Sequence, residues 1–258
     1  MKIVVMVKEV PDTYGTRTLD LGTGLSERLR SEPVLDEIGE RAIEAALAYR
    51  ERGHNAEIIV VSMGPRTTTA TLQKALAMGA DSAVHIVDDA LIGADLLLTA
   101  EVLASAVRKI GDVDLVLAGD QSSDGSAGIV PAMMSELLGW PNATGLSSLS
   151  LTDSALTGMR VSDSANVSIE ADLPAVASIT ETFPEARFPT FAGIIAAKRK
   201  SVAKWSLAEM GWVPATEVAR SIMVDVSARP ARIAGTTIHD SGDAGTQLAR
   251  FLIEKGLV

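Results

Sequence analysis

One alternation constrains this 258-residue chain more than any other feature. Short β-branched runs take turns with segments whose apolar residues recur every three or four positions. Ile3–Val7 is a continuous apolar run, the mark of a strand covered on both faces. In the helical pattern that follows, Ile38, Ala42, Ala46 and Tyr49 form one apolar stripe with Ile43 and Leu47 beside it. Asp36 stands where an N-cap belongs, and Gly53 ends the pattern. The motif then repeats in kind. Ile58–Val61 is a strand, Thr67–Met78 a helix closed by Gly79, and Ala83–Val87 a strand. Asp95–Ile110 is a helix closed by Gly111, and Leu115–Leu117 is the fourth strand. Such units cross over right-handedly and build a parallel sheet. The expected fold class is α/β, a doubly wound, mainly parallel sheet of Rossmann type.

After Pro141 the rhythm changes. Leu146–Leu151, Gly158–Ser162 and Asn166–Ala171 read as short strands, with a turn region over Thr152–Gly158. Connections this short make the meander antiparallel. Leu173–Glu181 is a further buried strand. From Trp205 to His239 Pro214, Pro230 and Gly235 interrupt any period, so this stretch reads as an irregular arm that lies on another surface. Asp243–Gly256 reads as a final helix with Leu248, Phe251 and Leu252 on one face.

Bulk properties remove several function classes. A net charge of −10 opposes nucleic-acid and anionic-membrane binding, where neutralising phosphate supplies most of the affinity. The absence of cysteine excludes disulfides, thiolate catalysis, Cys-ligated zinc and iron–sulfur clusters. The opening MKIVVMVKEV carries charge on both sides of a short apolar run, unlike a secretory signal. No apolar stretch approaches the ~18 residues of a membrane span. A cytoplasmic protein is the expectation.

In a doubly wound sheet a ligand lies beyond the carboxyl ends of the strands, where strand order reverses. An order of 3-2-1-4 brings together Met6 to Lys8, Met63-Gly64-Pro65 and the loop from Gly119 to Val130. That loop reads Gly119, Asp120, Gln121, Ser122, Ser123, Asp124, Gly125, Ser126, Ala127, Gly128, Ile129, Val130. Its glycines permit close backbone approach, and a helix start near Ser126 offers free N–H groups to an anion. Asp120 and Asp124 repel phosphate unless they face away, cap the helix or bind ribose hydroxyls. A ligand-free β-to-α turn is the competing account. Catalytic patterns are missing. No GxxxxGK[ST] loop is present, and Ser122 and Ser123 lack a nucleophile-elbow context. His54, His85 and His239 have no carboxylate at ligand spacing and read as surface or core histidines. Asp88 and Asp89 read as a solvated loop. The site holds a ligand and has nothing to convert it with.

The segment LPAVASITETFPEARFPTFAGIIAAKRKSV, Leu173 to Val202, resembles the signature of the electron transfer flavoprotein β subunit family. Glu185, Arg187, Phe188, Thr190, Phe191, Ala197, Lys198, Arg199 and Lys200 carry the pattern. VKEVPDT, VSMGP, KALAMGAD and VDLVLAGDQSSDG extend the likeness over nearly the whole chain. The resemblance implies an adenine nucleotide α-hydrolase-like fold and a heterodimer. The α subunit holds most of an FAD, and β buries an AMP that is never turned over. It implies electrons arriving from acyl-CoA or other dehydrogenases and leaving towards a quinone reductase of the respiratory pool. Carried over by position, the AMP site is Met6, Asp36, Glu37, Ile38, Gly39, Met63 and the Gly119–Val130 loop. Phe191 takes the place of the residue that plugs into the dehydrogenase. Arg187, Lys198, Arg199 and Lys200 accompany it in a recognition segment, 181–200. Tyr14 and its neighbours are expected near the flavin ring. The implied organisation is a nucleotide-binding domain over 1–204, including the 146–171 meander, and an arm and helix over 205–258 packed on the α subunit. Many relatives carry a Gln-x-Gly pair where Ile129 and Pro131 stand here, which leaves AMP and a second FAD, as in bifurcating relatives, both open. A stress-protein-type adenine-nucleotide regulator or ATP hydrolase fits the first βαβ units but not the meander or the signature.

Overall fold

Apolar runs without polar interruption leave a strand no face suited to water, and the first strand is covered on both sides. Ile3, Val5 and Val7 join one core cluster, while Val4 and Met6 join another. This computed structural model describes residues 1–212, 220–232 and 235–258, which fall into two units, Met1–Val224 and Asp225–Val258.

The first unit runs through β1 (Lys2–Met6), β2 (Glu9–Pro11), β3 (Pro33–Leu35), α1 (Glu37–Glu51), β4 (Glu57–Met63), α2 (Thr68–Met78), β5 (Ser82–Ile86), α3 (Leu96–Ile110), β6 (Leu115–Gly119) and α4 (Val130–Leu138). It continues through β7 (Asn142–Leu151), β8 (Ala155–Val161), β9 (Asn166–Asp172), β10 (Ala175–Ile179), α5 (Phe191–Ala197) and β11 (Val202–Trp205). One sheet has the order β11-β5-β4-β1-β6-β10-β7-β8-β9. Its pairings are parallel from β11 to β7 and antiparallel across β7-β8-β9. The run β5-β4-β1-β6 is the expected 3-2-1-4 order. Strand order reverses between β1 and β6, with α1 and α2 packed on one face and α3 and α4 on the other. The chain is therefore a doubly wound α/β fold with an antiparallel meander.

Several boundaries differ from the sequence pattern. The Thr152–Gly158 turn shrinks, because β8 begins at Ala155 and pairs Leu156 with Leu151. β7 starts at Asn142, four residues before the LSSLSL run, since its first half pairs with β10. β2 and β3 form a separate antiparallel pair that closes the base of the intervening loop. Residues 205–212, which the sequence pattern assigns to the arm, lie against the core. β11 adds a parallel edge to β5, Leu207 is buried, and Trp205, Met210 and Trp212 pack on the second cluster. Pro214 lies outside the described residues.

In the second unit, the described residues have no regular element before α6 (Ala244–Glu254). Asp240 accepts from the N–H groups of Gly242 and Ala244 just ahead of this helix. Leu248, Phe251 and Ile253 on α6 are exposed. No helix among the described residues is long and apolar enough to cross a membrane.

Candidate functional site

The carboxyl ends of β1, β4, β5 and β6 open on one rim, and a cavity of about 720 Å³ sits there. That volume falls within the ~300–1,000 Å³ of small-molecule sites. Met6, Asp36, Gly39, Met63, Gly119, Asp120, Gln121, Ser122, Gly125, Ala127, Gly128, Ile129 and Val130 line it. Of the sequence candidates, Glu37, Ile38, Ser123, Asp124 and Ser126 do not. Ile38 instead packs against Gly119, where an added Cβ would come within 3.0 Å of the Ile38 side chain.

The loop after β6 is pinned by two carboxylates, one before α1 and one of its own. Asp36 occupies the N-cap position of α1 but makes no side-chain cap. Its Oδ1 accepts from the Ser123 N–H at 2.8 Å, and the side chain is buried. Asp124 is 8% exposed and bridges two cations, Lys8 at 2.7 Å and Arg28 at 3.1 Å. Lys8 also donates to Ser122 Oγ. Burial alone would raise the Asp124 pKa, but the Lys8 hydrogen bond and charge, with Ser122 and Arg28, bring it below the usual carboxylate value. Both carboxylates are thus committed to loop geometry. Asp120 differs. Burial pushes its pKa up, as do the Glu181 and Asp36 charges, and its Oδ1 is buried without a partner among the described residues.

Helix α4 starts at Val130, four residues after the Ser126 expected from sequence. Ser126 (φ 48°) and Gly128 (φ 64°) are left-handed, which keeps the chain out of the helix until Val130. Pro131 then occupies the first turn, where its missing N–H leaves no bond unmade. Among the described residues no acceptor takes the N–H groups of Ala127, Gly128, Ile129 or Val130. Free N–H groups at a helix start are the kind of donor set that anions bind.

Two walls escape the sequence pattern. Leu25, Ser26 and Arg28 come from the loop between β2 and β3, and Val87 to Leu96 from the exit of β5. Asp88 is not a solvated carboxylate: it accepts from Ala90 N–H and, across the chain, from Leu207 N–H at 3.0 Å. The β2–β3 loop is tied to the β6 loop a second time, by Arg17 donating to the Ser123 carbonyl. Tyr14, on the same loop, is 98% exposed.

The 181–200 segment divides into residues facing inward and outward. Arg187 clamps Glu44 and Glu51 of α1, a bidentate arrangement that raises the Arg187 pKa and lowers both carboxylates. Lys200 donates to the carbonyls of Leu76 and Ala80 at the end of α2. These two side chains are engaged within their own chain. Phe191 at the start of α5 is 80% exposed, Phe188 is exposed, and so are Lys198 and Arg199. Thr190 caps α5 by accepting from Gly193 N–H at 3.0 Å.

The comparisons agree with this arrangement. A family model described as "Electron transfer flavoprotein domain" matches residues 26–210. The electron transfer flavoprotein subunit beta of Mycobacterium leprae is 42% identical over 99% of each chain. That of Mycobacterium tuberculosis (strain ATCC 25618 / H37Rv) is 41% identical over the same share. The caffeyl-CoA reductase-Etf complex subunit CarD of Acetobacterium woodii is 31% identical over 93% of this chain and 94% of the relative. The chain therefore belongs to the electron transfer flavoprotein family, as one of its β subunits.

Proposed function

We propose that this chain pairs with an α subunit that holds an FAD, and that its own cavity keeps a permanent AMP. The complex accepts electrons from dehydrogenases, acyl-CoA dehydrogenases among them, and delivers them towards the quinone pool. One observation carries the nucleotide reading. The four residues from Ala127 to Val130, whose amides are free, line a cavity whose nearby carboxylates Asp36 and Asp124 are already held by Ser123, Lys8 and Arg28. A phosphate meets donors there, and Asp120, whose pKa burial pushes up, is the loop carboxylate left without a fastener among the described residues. The rest of the cavity suits an adenosine: Leu91, Leu103 and Met134 give an apolar wall, and the backbone at Gly125 and Gly128 leaves room for close approach.

The residues that handle flavin belong elsewhere in the chain. A bound flavin supplies the redox chemistry, so the β subunit needs no acid, base or nucleophile of its own. Tyr14, on a loop fastened by Arg17 and Arg28, is the side chain we assign to the wall beside the partner's flavin ring. Phe191 is the anchor offered to the dehydrogenase, with Lys198 and Arg199 steering acidic partner surfaces. Arg187 and Lys200 hold that segment in place. The arm and α6, with its exposed Leu248, Phe251 and Ile253, dock on the α subunit.

Co-expression with an α chain, followed by denaturation and nucleotide analysis of the purified heterodimer, tests this reading. One FAD and one AMP per heterodimer are expected. Two FAD and no AMP would replace the AMP assignment with the two-flavin one, and a colourless β chain hydrolysing ATP alone would overturn both.

A further inference from the structure

We infer that His85 is a positioning residue for the nucleotide cavity, holding the Gly64–Arg66 turn so that a carbonyl oxygen stays out of the anion's space. This rests on the nucleotide reading above. His85 is fully buried in β5, and it does not line the cavity, whereas Gly64, Pro65 and Arg66 do. Its Nε2 lies 3.1 Å from the Gly64 carbonyl oxygen, and its Nδ1 lies 3.3 Å from Thr69 Oγ1.

A carbonyl only accepts, so Nε2 carries the proton and donates to Gly64. Nδ1 meets the Thr69 hydroxyl, whose single proton is shared between Nδ1 and the Arg66 carbonyl 3.3 Å away. Whichever way the Thr69 proton points, Nε2 donates to the Gly64 carbonyl, and this contact fixes the Gly64–Pro65 peptide from the core side. That peptide has no N–H, because Pro65 supplies its nitrogen. Turned the other way, it would present a bare carbonyl dipole to the cavity and repel a phosphate. Thr68 reinforces the turn: its N–H donates to the Pro65 carbonyl at 3.0 Å, and its Oγ1 would lie 2.5 Å from a Cβ added at Gly64. Packing against Thr68 therefore favours glycine at position 64.

Amide replacements of His85 separate positioning from bulk stability. A glutamine amide nitrogen takes the place of Nε2, whereas an asparagine amide takes the place of Nδ1 and falls short of Gly64. Both are polar and smaller than imidazole. The heterodimer is purified with each variant, and AMP dissociation is followed by exchange with radiolabelled AMP. His85→Gln should hold AMP like the wild type. His85→Asn should release it about five- to tenfold faster, the loss of roughly one buried hydrogen bond, with FAD content unchanged. Amide exchange at Gly64, whose N–H donates to Ile86, should rise in His85→Asn only. If neither His85 variant folds, Thr69→Val gives the same readout from the partially exposed face of α2, and faster AMP release is again expected. Equal AMP retention in Gln and Asn variants, or in Thr69→Val and wild type, overturns the inference while the nucleotide reading stands. A wild-type heterodimer with no AMP overturns both.

Discussion

Replacing Asp124 with asparagine tests how the loop after β6 keeps its shape. The substitution preserves volume and the contact with Ser122 but removes the charge that joins Lys8 to Arg28. Asp124 is 8% exposed, while the Lys8 and Arg28 side chains retain 41% and 33%. Breaking a fully buried pair on one side costs about 3–5 kcal/mol, and an exposed pair about 0.2–1 kcal/mol. Here the orphaned cations stay wetted, so the loss falls between those limits, at about 1–2 kcal/mol. For a chain of this size that lowers Tm by about 3–6 °C. The pH dependence follows from the depressed pKa of Asp124. Its contribution is present above the unfolded carboxylate value, near ~3.9, and is lost as pH falls through the lower folded value. The wild-type and variant heterodimers should therefore differ by a constant Tm from about pH 5 to 8, and converge below about pH 4. Differential scanning fluorimetry across that range reads both. Equal melting at pH 7, or a gap that widens in acid, would refute the account of the loop as pinned by this ion triad.

Three further outcomes concern the 181–200 segment. Gly193→Ala puts a Cβ 2.3 Å from the Ala77 carbonyl oxygen; α5 must move off α2, at about 1–3 kcal/mol, and a circular-dichroism melt identical to wild type would dismiss that contact. Arg187→Ala frees the carboxylates of Glu44 and Glu51 and should destabilise by about 1 kcal/mol through the half-buried Glu44 pair, an effect present above the usual carboxylate value and lost only as pH falls through the lower folded values of both; urea unfolding at about pH 7 and about pH 2.5 reads it. Phe191→Ala should leave the flavin absorption spectrum and Tm unchanged but slow reduction of the flavin by the donor dehydrogenase in stopped flow, and an unaltered rate argues against an anchoring role.

The parallel sheet was legible because its central strands are buried on both faces and so carry uninterrupted Val, Ile and Leu. β11 was not, because an edge strand of four residues containing Lys204 has neither the length nor the apolar run. β2 and β3 were hidden by prolines at Pro11 and Pro33, which the pairing tolerates at strand ends. Local rules also misplaced two functional groups. Asp36 sits at a helix start, where the N-cap rule applies, yet its partner is Ser123, 87 residues away. Ser126 is a favourable cap residue, but its left-handed backbone postpones α4. The β5 exit was open to inference: in a parallel sheet every carboxyl end meets the same rim, so Val87 to Leu96 had to border the site.

Charge explains why motif membership and ligand contact are different properties in this chain. An acidic loop beside free helix-start amides looks self-defeating until Asp36 and Asp124 are assigned. Asp36 holds Ser123, and Asp124 draws in Lys8 and Arg28, so their negative charge fixes the backbone whose amides then stay free. The 181–200 segment follows the same division. Arg187 and Lys200 look from sequence like a surface for partners, yet they bind α1 and the end of α2, leaving Phe191, Lys198 and Arg199 outward. Charged signature residues are thus as often the fasteners of a surface as the surface itself. Long side chains reach fasteners far away in sequence, so only the fold could separate the two sets. A substitution that keeps a fastener's geometry but not its charge, as Asp124→Asn does, should disturb the site from behind without touching what binds in it.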